Sequence, residues 1–223
     1  NITVINGTDM KRGKKKIVTG LILAMLVLGL IVIMSIGCAK QEFRQMEQTI
    51  KIVRDQLRPL NFCKPAEYSH ETRKYFEYYH LNCGGAEVEH YFGTFESGEF
   101  ILAGHVYEPS EYQAMVVLVH GYLNHSMGMV KLGNFLLSNG YAVAMFDLPG
   151  HGLSSGRQCA IDDFGKYSKA LGAFHDVLAE HFATPFYVLG FSTGASAVID
   201  HELRVGGDKF EKVVLVSPLV RFY

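Results

Sequence analysis

The pattern of hydrophobic and polar positions divides the chain into three stretches. Residues 17–36 are twenty consecutive uncharged, mostly apolar residues. As an α-helix rising about 1.5 Å per residue they would span about 30 Å, the thickness of a bilayer core. In residues 39–60 apolar side chains recur at steps of three and four, which predicts an amphipathic helix that ends near Pro59. That helix would be a stalk or a segment docked on the domain that follows.

Strands and helices alternate in the third stretch. Residues 114–119 (AMVVLV) are a continuous apolar run, which is typical of a strand buried on both faces of a parallel sheet. This alternation predicts an α/β fold with a mostly parallel sheet and helices on both faces. The predicted strands are residues 87–96, 100–107, 114–119, 141–146, 185–189 and 212–216. The predicted helices are residues 127–139, 161–182 and 193–204.

These patterns predict the domain organisation of the 223 residues. At roughly 150 residues per domain, the length allows one domain, or one and a half. The predicted segments are a basic tail (1–16), a signal peptide or transmembrane anchor (17–37), a helical stalk or linker (38–74) and the α/β domain (75–223).

The charge distribution gives the membrane segment a direction. Five of the 21 basic residues lie directly before the apolar run, at Lys11, Arg12, Lys14, Lys15 and Lys16. Because basic residues that flank a membrane segment stay on the cytoplasmic side, the domain that follows is expected outside the cytoplasm.

The end of the apolar run resembles the lipobox of bacterial lipoprotein signal peptides. Gly37 precedes Cys38 as in that motif, although Ser35 stands where leucine is usual. The resemblance implies lipidation of Cys38 and a place in the bacterial periplasm or at the cell surface. An uncleaved anchor and a cleaved, soluble product are the alternatives, and all three put the domain outside the cytoplasm. In an oxidising compartment Cys63 and Cys83 could form a disulfide, with two separate thiols as the alternative.

The composition excludes several classes of protein. With 48% hydrophobic and 19% charged residues, the chain is globular rather than disordered. A net charge of −1 gives no reason to expect a nucleic-acid partner. The four cysteines show no CxxC pair and no zinc-ligand spacing, and nothing in the sequence implies a metal or an organic cofactor.

Residues 190–194 (GFSTG) are a GxSxG motif between a short apolar strand and a helix. That strand–turn–helix setting is what a nucleophile elbow requires. Gly190 and Gly194 would let the strand and the helix approach closely. Ser192 would then lie at a helix N-terminus, where free amides and the helix dipole favour developing negative charge. The alternative is a loop serine between two chance glycines.

A second loop follows the apolar strand 114–119 and contains His120, Gly121 and Tyr122. The loop at this place normally supplies one amide of an oxyanion hole, so the amide of Tyr122 is predicted to act together with that of Thr193. Gly121 would permit the backbone path. His120 is predicted to be a structural histidine, with a catalytic base as the alternative.

A third loop, residues 147–156 (DLPGHGLSSG), follows the next strand. A glycine-rich loop could cradle a phosphate, but this one lacks GxGxxG spacing and a Walker lysine. We therefore interpret it as a tight structural loop under the elbow, supported by Gly150, His151 and Gly152. Asp147 is predicted to make structural hydrogen bonds, with the acid of a catalytic triad as the alternative.

Together, the segments HGYLNHS, DLPGHGLSSGR and GFSTGAS resemble the α/β-hydrolase family, and within it the monoacylglycerol lipase and lysophospholipase branch. The resemblance covers about residues 75–223. It implies that Ser192 is the nucleophile, that Tyr122 and Thr193 supply oxyanion-hole amides, and that residues 147–152 shape the floor of the site. The implied substrates are lipid-like carboxylic esters, either monoacylglycerol or lysophospholipid.

The same resemblance implies that the aspartate and histidine of the triad follow the nucleophile, on loops after two further strands. His201 is the last histidine of the chain, and it lies on the helix leaving the elbow, where it is expected to point away from Ser192. The chain is therefore expected to be the front part of a membrane-anchored serine esterase, inactive by itself, with the cap and the last strands beyond Tyr223. One alternative is a non-catalytic, α/β-hydrolase-like binding protein at the membrane. Another is a hydrolase of different chemistry, such as a peptidase or a haloperoxidase.

Overall fold

The computed structural model describes the backbone of residues 7–79, 88–205 and 207–219. Within the helices, the side chains of residues 7–24, 26–27, 29–31, 38 and 205 are outside this description.

Three expectations therefore lie wholly or mostly outside the described residues and stay predictions. They are the membrane segment 17–37, the lipidation of Cys38, and the pairing of Cys63 with Cys83. Among the residues that are described, no helix is long and apolar enough to cross a membrane.

The chain divides into two compact units, Asn1–Gln48 and Thr49–Tyr223. The first unit contributes most of the long helix α1, and the second contains the end of α1 and all other elements. The helices are α1 (Gly7–Gln56), α2 (His70–Tyr78), α3 (Val130–Leu137), α4 (Gly165–Ala179) and α5 (Thr193–Val205), with a 3-10 helix at Ser126–Met129. The strands are β1 (Val88–Ser97), β2 (Phe100–Pro109), β3 (Met115–Val119), β4 (Ala142–Phe146), β5 (Phe186–Phe191) and β6 (Lys212–Val216).

The six strands form one sheet in the order β1-β2-β4-β3-β5-β6. β1 and β2 form an antiparallel hairpin, β2 pairs antiparallel with β4, and the other neighbours are parallel. The predicted α/β fold with a mostly parallel sheet is confirmed. From β3 the chain moves to β4 on one side and later to β5 on the other. The loops after β3 and β5 therefore meet at a crevice, which is where open α/β sheets place their ligands.

Helices cover both faces of the sheet, as the side chains of β4 show. Phe146 packs against Phe174 of α4, with ring centroids 5.0 Å apart. Val143 points the other way, towards α3, where a Cβ added to Gly133 would lie 3.6 Å from it. Because every residue of β3 and β4 is buried, these two strands form the centre of the core.

Two predicted helices differ from the observed ones for local reasons. The helix predicted at 161–182 begins at Gly165, because the carboxylate of Asp163 accepts a hydrogen bond from the Gly165 N–H at 2.9 Å and caps it. The helix predicted at 127–139 is a 3-10 turn followed by α3, and it stops before Gly140, whose φ of +77° is the left-handed conformation of a helix end.

The second compact unit starts at Thr49, near the end of α1. Val53, near the end of α1, is fully buried. Further along, the N–H of Leu60 donates to the carbonyl of Thr94 at 2.9 Å, and the N–H of Thr94 donates to the carbonyl of Arg58 at 2.8 Å. This backbone pairing extends the sheet at β1.

Candidate active site

The GxSxG motif forms a sharp turn between β5 and α5. Ser192 has a φ of +51°, a left-handed conformation that costs a non-glycine residue roughly 1–2 kcal/mol. Two backbone hydrogen bonds hold the turn. The N–H of Ser192 donates to the carbonyl of Val216 in β6 at 2.9 Å, and the N–H of Ser196 donates to the carbonyl of Ser192 at 3.1 Å. The Ser192 side chain is therefore placed directly at the N-terminus of α5.

Gly190 and Gly194 lie where strand and helix touch. A Cβ added to Gly190 would lie 2.6 Å from the Cα of Ala195, and one added to Gly194 would lie 2.3 Å from the carbonyl oxygen of Val119. Both neighbours are backbone atoms that cannot move aside cheaply. The turn therefore requires glycine at both positions, and it sits against the end of β3.

The loop after β3 passes directly beside Ser192. A Cβ added to Gly121 would lie 3.2 Å from the Cβ of Ser192 and 3.0 Å from a ring carbon of Phe191. Tyr122 follows at once, and its phenol donates a hydrogen bond to the carbonyl of Cys159 at 3.0 Å. Thr193 is the first residue of α5. The loop that contains Tyr122 thus passes next to Ser192, and Thr193, the other predicted oxyanion-hole residue, follows Ser192 directly.

His120 is buried, and both of its ring nitrogens are engaged. The N–H of Leu148 donates to Nε2 at 2.9 Å, so Nδ1 carries the proton that is donated to the carbonyl of Gly121 at 2.8 Å. Burial lowers the pKa of His120 to about 4, against the opposing effect of Asp147. A neutral histidine with both nitrogens bonded fixes the loop and is not available to take a proton from Ser192.

Asp147 is fully buried and organises the loop that follows β4. Its Oδ1 accepts from the N–H of Ser126 and its Oδ2 from the N–H of Leu153, both at 2.7 Å. Burial alone would raise the pKa of this carboxyl. His125, His120 and the two hydrogen bonds outweigh burial, and the pKa lies below its ordinary value. The charge is used to hold two backbone segments together.

The glycine-rich loop folds back on itself beneath the loop after β3. Gly150 has a φ of +76°, its N–H donates to the carbonyl of Ser155 at 2.8 Å, and its carbonyl accepts from the N–H of Cys159 at 2.9 Å. His151 is buried, and its ring lies 5.2 Å from that of His120, centroid to centroid.

Gly152 lies directly over the carboxylate of Asp147. Its φ is +50°, and a Cβ added there would lie 2.1 Å from Oδ2 of Asp147. The glycine-rich loop is therefore a structural layer under the site.

A family model described as serine aminopeptidase, S33, matches residues 110–223, half of the chain, from just before β3 past β6. The chain belongs to this family of α/β hydrolases. The matched region contains the elbow at Ser192 and both loops described above.

Named relatives confirm the predicted resemblance of the chain to the monoacylglycerol lipase-like branch. A monoglyceride lipase homolog of monkeypox virus is 33% identical over 113 residues, which cover 48% of this chain and 39% of the relative. Phospholipase YtpA of Bacillus subtilis is 30% identical over 47% of this chain and 40% of its own. Human monoglyceride lipase is 30% identical over 48% of this chain and 36% of its own. The chain spans about two fifths of the length of these relatives.

Solved structures agree on the fold of the hydrolase. The Pyrococcus furiosus esterase Pf2001 superposes with a TM-score of 0.53 at 22% identity, covering 69% of this chain and 56% of that one. Est1E of Butyrivibrio proteoclasticus, solved with ferulic acid, superposes with a TM-score of 0.50 at 23% identity, covering 56% of this chain and 52% of that one.

The other histidines of the hydrolase near α5 and the glycine-rich loop are also bonded to backbone. His201 is buried on α5, and its Nδ1 lies 3.0 Å from the carbonyl of Ser168 on α4, away from the elbow. The Nδ1 of His151 lies 3.0 Å from the carbonyl of Pro149. Within the described ranges, no group of three or more His, Cys, Asp or Glu side chains is arranged to hold a metal ion.

Arg54 of α1 is a residue near the site that sequence reasoning missed. Its Nη2 donates to the carbonyl of Gly152, in the glycine-rich loop, at 2.7 Å. The two residues are 98 positions apart, and no periodicity or motif connects them. The amphipathic pattern of residues 39–60 was the available signal, because it indicated a helix that could dock.

Proposed function

We propose that the protein is a serine hydrolase that cleaves lipid-like carboxylic esters, monoacylglycerol or lysophospholipid, through an acyl-enzyme on Ser192. The observation that supports this most directly is the elbow, in which Ser192 has a φ of +51° between two glycines that admit no Cβ. The names of the relatives, two monoglyceride lipases and a phospholipase, favour a lipid ester as the substrate.

In the proposed reaction the hydroxyl oxygen of Ser192 attacks the acyl carbonyl, and the carbonyl oxygen becomes an oxyanion. The amides of Tyr122 and Thr193 would donate hydrogen bonds to it, helped by the dipole of α5. The bond to the leaving alcohol then breaks, and water hydrolyses the acyl-enzyme. A base must take the proton of Ser192. In α/β hydrolases the acid and histidine follow the nucleophile in sequence, so we propose that this base follows Ser192.

The proposal includes a membrane anchor and a location outside the cytoplasm. It rests on the uncharged run of residues 17–36 and on the basic cluster before it, from Lys11 to Lys16. Cys38 would carry the lipid if the anchor is that of a lipoprotein. An enzyme held at a bilayer would find monoacylglycerol or lysophospholipid in that same bilayer.

The test is release of fatty acid from vesicles that contain monoacylglycerol or lysophosphatidylcholine, using the full-length protein. We expect Ser192→Ala to lower the rate by about a thousandfold or more, because the nucleophile is lost while the oxyanion amides remain. Ser138→Ala, at the exposed end of α3, is the matched control and should leave the rate unchanged. Retained hydrolysis in the Ser192 variant would refute the assignment of the nucleophile.

A second candidate function is a non-catalytic, membrane-associated binding protein with this fold. The observation in its favour is that His120, His151 and His201 are each hydrogen-bonded to backbone atoms. A fluorophosphonate probe separates the two. Covalent labelling of Ser192 supports the hydrolase, and a folded full-length protein that resists labelling supports the binding protein.

A further inference from the structure

A cavity of about 290 Å³ lies beside the loop after β3, between that loop, the glycine-rich loop and the end of α1. The polar residues that line it are Arg54, Asn124, His125, His151, Ser154, Gln158 and Cys159. Its lining includes Leu123, two residues after Gly121, and a Cβ added to Gly121 would lie 3.2 Å from the Cβ of Ser192. Ligand pockets for whole small molecules run from about 300 to 1,000 Å³, so this cavity would hold a polar group rather than an acyl chain.

Arg54 brings a fixed positive charge to this cavity. The adjacent Val53 is fully buried, which anchors this turn of α1 on the domain. The guanidinium donates one hydrogen bond, from Nη2 to the carbonyl of Gly152 at 2.7 Å. A guanidinium has five N–H donors in a planar fork, and that geometry matches the oxygens of a phosphate.

The remaining lining suits an anion. Among the described residues that line the cavity, none is an aspartate or a glutamate. Asp147 lies beneath Gly152, but its two oxygens already accept hydrogen bonds from the amides of Ser126 and Leu153. Nδ1 of His125 is buried and has no hydrogen-bond partner among the described residues. As an N–H it would donate to an anion once the ring turned towards the cavity.

We propose that this cavity binds the phosphate of a phospholipid headgroup, with Arg54 as its charge contact. The inference rests on the proposed function and narrows the proposed substrate from a monoacylglycerol or lysophospholipid to a lysophospholipid. The acyl ester would lie at Ser192 and the glycerophosphate would extend past Tyr122 to Arg54. A neutral glycerol would leave the guanidinium without an anionic partner.

Cys159 offers a readout that needs no hydrolysis. It is a half-buried cysteine of the cavity wall, whereas Cys63 is exposed and absent from that wall, and both are measured as reduced thiols. The alkylation rates of Cys159 and Cys63 with iodoacetamide are measured together by peptide mass spectrometry on the whole chain. The probes are glycerophosphocholine, inorganic phosphate and glycerol, each at the same concentration, and Cys63 is the internal reference.

We expect glycerophosphocholine to slow alkylation of Cys159 but not of Cys63. Arg54→Gln should weaken this protection by about tenfold or more, because a charge-assisted hydrogen bond is lost. Arg58→Gln is the matched control, since Arg58 lines a different cavity, and it should keep full protection. Arg54→Lys should retain part of it because the charge remains.

A second pair of variants leaves the contact between Arg54 and Gly152 in place. Gln158→Glu puts a carboxylate into the cavity wall, and we expect it to abolish protection by repelling the phosphate. Gln113→Glu makes the same change at a site where the side chain bonds to the carbonyl of Asn139, away from the cavity, and should have no effect. This pair decides the question if Arg54→Gln fails to fold.

The headgroup proposal is overturned if glycerol protects Cys159 as well as glycerophosphocholine does. It is equally overturned if no probe protects, or if Arg58→Gln loses as much protection as Arg54→Gln. Protection by inorganic phosphate alone would indicate a site for free phosphate and overturn the lipid assignment. Because alkylation does not depend on Ser192, these outcomes are distinct from a failure of the ester-hydrolysis test.

Discussion

At Gly194 there is no room for a side chain, because a Cβ would lie 2.3 Å from the carbonyl oxygen of Val119. We expect Gly194→Ala to lower the free energy of unfolding by about 3 kcal/mol, the upper range for overpacking a core. Gly133→Ala is the control. Its Cβ would meet its nearest neighbour at 3.6 Å, and alanine in place of glycine within α3 should stabilise the protein by about 0.5–1 kcal/mol. Urea unfolding of both variants checks this, and equal effects would show that the elbow is not tight.

Asp147 makes stability depend on pH in a defined direction. The pKa of Asp147 is lowered in the folded protein. Its contribution to the free energy of unfolding is therefore fully present when the pH is above the ordinary aspartate pKa, and it is lost as the pH falls through the lowered pKa of the folded state. We expect Asp147→Asn to cost about 2 kcal/mol at neutral pH, and this difference from the wild type to shrink below about pH 4. The exposed Asp208→Asn is the control. Urea unfolding at several pH values measures the difference, and a gap that stays constant would contradict the role of this charge.

The surroundings of some residues can be predicted from the sequence, and those of others cannot. The elbow could be predicted because a local motif fixes it, with Gly190, Ser192 and Gly194 within five positions. Arg54 could not, because its hydrogen bond to Gly152 spans 98 positions and depends on how α1 docks. The same holds for the bond from Tyr122 to Cys159, which spans 37 positions.

At the scale of elements, hydrophobic periodicity predicted the strands well because burial itself sets that pattern. β6 was predicted at the observed residues, and β3 differs from its predicted range by one residue. The helix ends were harder, because single side chains decide them. The carboxylate of Asp163 starts α4 at Gly165, and no apolar spacing shows this.

The end of α1 provides a test at the scale of elements, because the second compact unit begins at Thr49. Val53 is fully buried, and its neighbour Ile52 is 40% exposed. We expect Val53→Ala to lower the free energy of unfolding by about 2 kcal/mol, through lost burial and a residual cavity. Ile52→Ala should cost clearly less. Urea unfolding compares the two variants, and equal costs would mean that this turn of α1 does not pack on the domain.

Over the whole molecule, the alternation of strands and helices predicted the α/β class, but not which strands are neighbours. The order β1-β2-β4-β3-β5-β6 places β3 between β4 and β5, and this depends on pairing between residues far apart in the chain. That arrangement creates the crevice where the loops after β3 and β5 meet. The crevice therefore follows from topology, whereas the residues that line it follow from local motifs.

The last prediction concerns residues 38–223 expressed alone. β6 is the last strand of the described sheet and pairs with β5 only, and its apolar side chains from Val213 to Val216 are 38–48% exposed. A serine without a base is a weak nucleophile near neutral pH. We expect no turnover of a short p-nitrophenyl ester by this segment. Turnover that disappears with Ser192→Ala would contradict the prediction, and would mean that a base for Ser192 lies within these residues.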